Sequence, residues 1–247
     1  MSALVLALTA GAVVGLALGA LGGGGSVLAV PALIYLLGFS PSAATTASLI
    51  IVAATSATAL YAHARDGHVA WKAGSLFAAA GIIPAYLAGA AVGRVPETAL
   101  TVAFAVIAAL AAVRMFRPSS SRPPERIRTG KAAGSGAGLG AVTGFLGVGG
   151  GFLAVPALVS VLGLTMRRAV GTSLLVITVN SLAALVARTG TGGGLDWALI
   201  GPFTGAAILG AWDGKRLSTK VSGNSLQKVF AAVLLAVAVF MLIDVIA

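Results

Sequence analysis

The chain has 247 residues, of which 58% are hydrophobic and 9% charged, with a net charge of +10, no cysteine and a mean hydropathy of +1.04. Soluble domains carry roughly 45–50% apolar and 25% charged residues, so this composition excludes a water-soluble globule and calls for a bilayer as solvent. Without cysteine, disulfides and thiolate metal sites are excluded, and with only His63 and His68 a multi-histidine zinc site is nearly excluded too. The basic residues sit in short spacers between apolar runs, the usual place of topology signals, so the positive charge does not point to nucleic acid.

No charge occurs from Met1 to Ala62, which leaves room for about three segments, and further uncharged runs follow along the chain. Backbone in hydrocarbon must satisfy its own hydrogen bonds, so an all-α integral membrane bundle is expected. In the first part of the chain, helices are expected over Ala3 to Leu21, Val27 to Leu37, Ala43 to Ala62, Trp71 to Val92 and Glu97 to Met115. A basic segment rich in Pro and Ser, Arg114 to Lys131, then reads as an exposed linker. Beyond it, helices are expected over Lys131 to Leu146, Phe152 to Leu162, Arg168 to Ala187, Asp196 to Trp212 and Ser225 to Ile246.

Gly22 to Leu33 laid over Gly147 to Leu158 gives 9 identities in 12 positions at an offset of 125 residues. The same offset pairs Leu37-Gly38 with Leu162-Gly163, Ser48-Leu49 with Ser173-Leu174, and His63 with Arg188. The chain therefore reads as a duplication, with residues 1–113 as first repeat, 114–131 as linker and 132–247 as second repeat. The second segment of each repeat, about 11 residues or about 17 Å of helix, is too short for a roughly 30 Å hydrocarbon core. Each repeat is accordingly expected to hold a glycine-tipped re-entrant (or short) helical hairpin plus three transmembrane helices. Under that arrangement the repeats are inverted, and 14 basic residues fall on the linker side against Arg94 and Arg188 on the other. The positive-inside rule then puts the linker in the cytoplasm and both termini outside.

Gly22, Gly23, Gly24, Gly25, Ser26 and Val27 open one short helix, and Gly147, Gly149, Gly150, Gly151 and Phe152 open its counterpart. Glycine-rich helix N-termini offer unpaired N–H groups and the positive end of the helix dipole, a ready site for an anion. Close helix packing is the plainer use of such glycines. Duplication of the whole cluster ahead of Pro31 and Pro156 favours a site between the halves, near mid-depth. Hydroxyl and amide groups on the following helices, Thr45, Thr46 and Ser48 in one half and Thr172, Ser173 and Asn180 in the other, are candidates to orient an oxyanion. His63 and Arg188, near helix ends, read either as snorkelling to the interface or as entrance groups on opposite sides. An anion is expected to be held by the glycine N–H groups, with Thr172 and Ser173 assisting, and not by a buried Arg or Lys. No carboxylate lies deep in a span, so an acidic relay for proton or ion coupling of the usual kind is not visible.

The paired motifs resemble the sulfite exporter TauE/SafE family, also called the toluene sulfonate uptake permease family. The resemblance rests on Gly147 to Gly151, Pro156, Leu158, Gly163 and Gly171-Thr172-Ser173-Leu174, and in the first half on Gly22 to Gly25, Pro31, Leu33 and Gly38. The first half has Thr46-Ala47-Ser48-Leu49 instead, so the threonine is missing there. The resemblance implies a multi-pass carrier in a bacterial inner membrane that moves sulfite or organosulfonates, usually outward, with a small anionic substrate and the lipid bilayer as partners and with no cofactor. An anion channel is the closest alternative. An intramembrane serine protease built on Gly24-Gly25-Ser26 and His63 is a weaker one, because the counterpart of Ser26 is Gly151.

Overall fold

A computed structural model describes residues 2–91, 95–116, 129–146, 151–188, 195–220 and 223–246. Every regular element among them is helical: α1 (Ser2–Leu21), α2 (Ala29–Pro31), α3 (Pro41–Arg65), α4 (Trp71–Ala91), α5 (Glu97–Phe116), α6 (Thr129–Leu146), α7 (Gly151–Leu162), α8 (Met166–Ala187), α9 (Trp197–Lys220) and α10 (Gly223–Ile246). Among the described residues, α1, α3, α4 and α8 are long and apolar enough to cross a membrane. Large apolar side chains remain exposed along the bundle, Val13, Ile83, Leu110 and Leu209 among them, while Trp71 and Trp197 stand exposed at helix starts. In a bilayer those are lipid-facing and interfacial positions. Of the expected linker, residues 117–128 lie outside the described residues, and its two ends are the last turn of α5 and the first of α6.

The expected single helix over Val27 to Leu37 is corrected. Gly22–Leu28 winds as a 3₁₀ helix, α2 adds one turn, and Ala32–Leu36 widens into a π turn. The cause is local. Gly22 starts the segment at φ +64°, a left-handed conformation that a Cβ disfavours, and Pro31 brings no N–H to an α-helical ladder. The segment closes on Gly38 (φ +70°), with Gly38 N–H donating to Ile34 O at 3.1 Å and Phe39 N–H to Leu33 O at 3.0 Å. α7 closes in the same way: Gly163 (φ +63°) donates to Val159 O and Leu164 to Leu158 O, each pair 125 residues further on. α9 also runs past its expected end at Trp212, because Lys215 is partnered by the end of α3.

Helix pairing is symmetric under the offset: α1 packs on α9 as α6 packs on α4, α3 packs on α9 as α8 packs on α4, and α5 pairs with α10. Glycines make two of these contacts close. A Cβ on Gly11, Gly15 or Gly19 would meet the backbone of Phe203, Ala207 or Ala211, and one on Gly136, Gly140 or Gly144 would meet that of Phe77, Gly81 or Ala85. The two glycine ladders are themselves 125 residues apart. Such small-residue stripes let backbones touch where lipid supplies no hydrophobic drive between helices. The contacts also give directions. α1 and α9 run parallel, α4, α6 and α8 run parallel, and α3 lies antiparallel to α8, with His63 near Gly171 at one end and Thr45 near Arg188 at the other.

Adding bulk to a ladder tests this packing. Gly140→Leu should push α6 off α4 and cost on the order of 1–3 kcal/mol, as overpacking does. Gly138→Leu, on an open face of the same helix, should cost much less. Thermal unfolding of the two variants in detergent measures the difference.

Candidate functional site

The 3₁₀ tip Gly22–Leu28 packs on α1, α7 and α8. Its backbone finds a partner across the halves: Gly23 N–H donates to Ser173 Oγ at 3.1 Å, and that hydroxyl donates to Val170 O at 2.7 Å. Gly22 lies so close that an added Cβ would sit 2.8 Å from Val170 O and 2.9 Å from Ser173 Oγ. Ser26 is fully buried and donates to Gly23 O at 2.7 Å, and Val27 is buried beside it. Gly24 and Gly25 continue the 3₁₀ turn. Of the second cluster, Gly147, Gly149 and Gly150 lie outside the described residues, while Gly151 and Phe152 are the first residues of α7. Pro31 ends α2, and Pro156 sits inside α7.

The hydroxyl candidates do not all gather at the tip. Thr172 is buried and accepts from Ala70 N–H at 2.9 Å, so its oxygen serves the start of α4. Ser48, the counterpart of Ser173, is buried and donates to Thr45 O at 3.0 Å. Thr45 and Thr46 both donate to Ser42 O, and both accept from the guanidinium of Arg188, at 3.0 and 3.2 Å. Asn180 is fully buried against Gly81, and neither atom of its amide has a hydrogen-bond partner among the described residues. Seven residues separate it from Ser173, two helical turns or about 10.5 Å along one face of α8.

Snorkelling of His63 and Arg188 is corrected as well. Both are buried, at 4% and 3% exposure, and both turn inward between the halves. The second guanidinium nitrogen of Arg188 donates to Gly144 O at 2.7 Å, and His63 Nε2 lies 3.3 Å from Gly19 O. Gly19 and Gly144 are separated by the same 125 residues as His63 and Arg188. Equivalent side chains therefore reach equivalent carbonyls, one at each end of the α3/α8 pair. A buried cation costs several kcal/mol unless its protons are met, and Thr45, Thr46 and Gly144 O take protons from the two terminal nitrogens of Arg188.

Two features escaped the reading of the sequence. One is a polar contact in the α3/α8 crossing, Ser56 Oγ to Thr178 Oγ1 at 2.8 Å, with buried Thr55 and Ser181 beside it. Isolated serines and threonines in apolar runs carry no signal that would separate them from residues bonded to their own helix. The other is a recess at the end of the bundle where α3 and α9 end and α8 begins, lined by His63, Asp66, His68, Arg167, Val170, Lys215 and Ser218. Lys215 bridges Asp66 at 2.8 Å and donates to Ala62 O at 2.7 Å. That ammonium holds the Asp66 carboxyl below the usual carboxylate range. Charge position along the chain hinted at a basic end, but only the fold brings α3, α8 and α9 together there.

Residues 7–241 match the model of a family described as "Sulfite exporter TauE/SafE". A protein of Xylella fastidiosa (strain 9a5c) described as "Probable membrane transporter protein" is 34% identical over 251 residues, covering 97% of this chain and 95% of the relative. One from the Temecula1 strain is similar to the same extent. "Probable membrane transporter protein YunE" of Bacillus subtilis (strain 168) is 25% identical over 258 residues, covering 93% of this chain and 91% of its own. No solved structure matches the chain.

Removing single partners tests the site's construction. Thr172→Val leaves Ala70 N–H unmet and should cost about 1–3 kcal/mol. Arg188→Met leaves Gly144 O unmet and should cost a similar amount, whereas Arg168→Met, on an exposed side chain, should cost little. Melting temperatures in one detergent check all three.

Proposed function

The chain belongs to the sulfite exporter TauE/SafE family and is a multi-pass membrane transporter, and from that premise we propose that it carries small sulfur-containing anions by alternating access. The substrates in this reading are sulfite or organosulfonates, moved outward across a bacterial inner membrane by two inverted repeats rocking about a shared site. The observation that carries it is the Gly23 N–H bond to Ser173. Irregular backbone is tolerated in a membrane only where protein buries it or a cavity borders it, and here a glycine tip of one half rests on the Gly-Thr-Ser segment of the other.

Inversion is supported by direction. Among the described helices, α1 and α6, α3 and α8, and α4 and α9 are related by the repeat, and the members of each pair run oppositely. α3 ends, α4 and α8 begin and α9 ends at one surface, which therefore collects Arg65, Lys72, Arg167, Arg168, Lys215 and Arg216. By the positive-inside rule that surface is cytoplasmic, with the linker, and both termini are outside.

The anion is held at the tips, where exchange of the Ser173 hydroxyl for an oxyanion on the N–H of Gly23 supplies a charge-assisted bond. Ser173 and Asn180 mark the path along α8, and Arg188 and His63 stand at its two ends. Ser26, with its hydroxyl on Gly23 O, is part of the tip and not a nucleophile.

Proteoliposomes tested for flux of sulfite, sulfate, sulfoacetate, taurine and an aryl sulfonate should show slow, saturable uptake of at least one, with counter-transport. Channel-like conductance would contradict the carrier reading. Gly24→Val should abolish that flux, and a folded variant with normal transport would remove the tip from the site. A phosphatase fused to the C-terminus should be active, and a fluorescent reporter there dark.

A further inference from the structure

We propose that His63 is a proton-binding site linked to the anion site, taking up a proton as the anion binds. The proposal rests on the transport reading above. It starts from a difference inside the symmetry. At one end of the α3/α8 pair the position is filled by arginine, a permanent cation, and at the other by histidine, whose charge changes in the physiological range, around pH 6.5 when unperturbed. Both side chains are buried and both face an equivalent glycine carbonyl. Protonation of His63 would make the two ends electrically alike, and its loss makes them differ.

The surroundings of His63 suit a proton that comes and goes. A neutral ring protonated on Nε2 donates toward Gly19 O, and Nδ1 has no hydrogen-bond partner among the described residues. His63 lines the recess described above, whose volume available to water is about 20 Å³. About 10–15 Å³ of such space admits one water, and a sulfur oxyanion needs several times more. The space that His63 lines in this conformation is therefore sized for water and not for the substrate.

The charges facing the ring set the sign of the coupling. Asp66 and His68 approach from the turn after α3, Lys215 from α9 and Arg167 from α8. Lys215 and Asp66 form an ion pair, so their charges largely cancel at the ring. An anion changes that balance. His63 Cβ lies 3.4 Å from where a Cβ on Gly171 would be, and Gly171 is two residues before the Ser173 that holds the tip. Negative charge arriving there favours the imidazolium, so anion binding draws a proton in. By linkage, a falling pH then tightens anion binding through the histidine's range.

Calorimetric titration of the purified full chain with sulfite, sulfate and toluenesulfonate, in two buffers of different ionisation enthalpy, tests the proposal. Comparison between variants cancels any proton exchanged by the anion itself. Wild type should take up close to one proton more per bound anion than His63→Arg or His63→Gln. Its affinity should rise by up to about tenfold per pH unit on acidification, the limit for one linked proton, and the affinity of His63→Arg should stay nearly flat. The ring resonances of His63 in the wild-type chain should move toward the imidazolium position when anion is added, a readout that needs no variant to fold. Equal proton uptake in wild type and both variants, loss of uptake in His68→Gln with His63 unchanged, or an unmoved ring signal on saturation would overturn it. Failure of all three anions to bind the wild type would overturn the transport reading instead, and the coupling with it.

Discussion

A peptide group that leaves the helical ladder inside a membrane has no water to bond, and each one left unmet costs several kcal/mol. The Gly22–Leu28 segment buries such groups, and the bundle is arranged to answer them. Gly23 N–H is met by a serine from a helix 150 positions away, and the approach that makes this bond possible requires a glycine at position 22. The ladders of Gly11, Gly15 and Gly19 and of Gly136, Gly140 and Gly144 bring helices into backbone contact on either side of that junction. Thr172 and Arg188 likewise spend their polar atoms on backbone or hydroxyl groups of the other half. The halves are thus joined by polar bonds that an anion could exchange, set within a frame of small residues that fixes the helices.

Equivalent positions in the two halves do equivalent work with different chemistry. His63 and Arg188 reach matched carbonyls, yet one titrates and the other does not. Thr172 caps the start of α4, and its counterpart is Ala47. A duplicated fold can rock about one site with equal geometry on the two sides, and these substitutions allow the two sides to differ in energy.

Much of the fold was legible because long uncharged runs, proline and glycine punctuate the chain plainly. Most helix ends fell within two or three residues of expectation, and the repeat was visible in the paired glycine-to-leucine motifs. The errors share a physical cause. A 3₁₀ turn followed by a π turn differs from an α-helix only in which carbonyl each N–H meets, and no residue pattern in Val27 to Leu37 records that choice. Arg188 was placed at a water interface because charge is costly in a membrane; the fold instead turns it onto Thr45, Thr46 and Gly144 O. Partners from distant helices are what make such burial affordable, and they become visible only once the helices are packed. Ser173 at the tip was legible from its motif, while Thr172, its neighbour, was drawn by the same motif to a different task.

Alternating access requires the two ends of the α3/α8 pair to open in turn around one site. The chain has no cysteine, so a single cysteine can be placed at Ser218 in the recess or at Thr46 beside Arg188 and its reaction with a membrane-impermeant maleimide timed from each side of oriented vesicles. The two positions should react from opposite sides and, as substrate is added to one side, one rate should fall while the other rises. Reaction of both from the same side, or rates that rise and fall together, would contradict it.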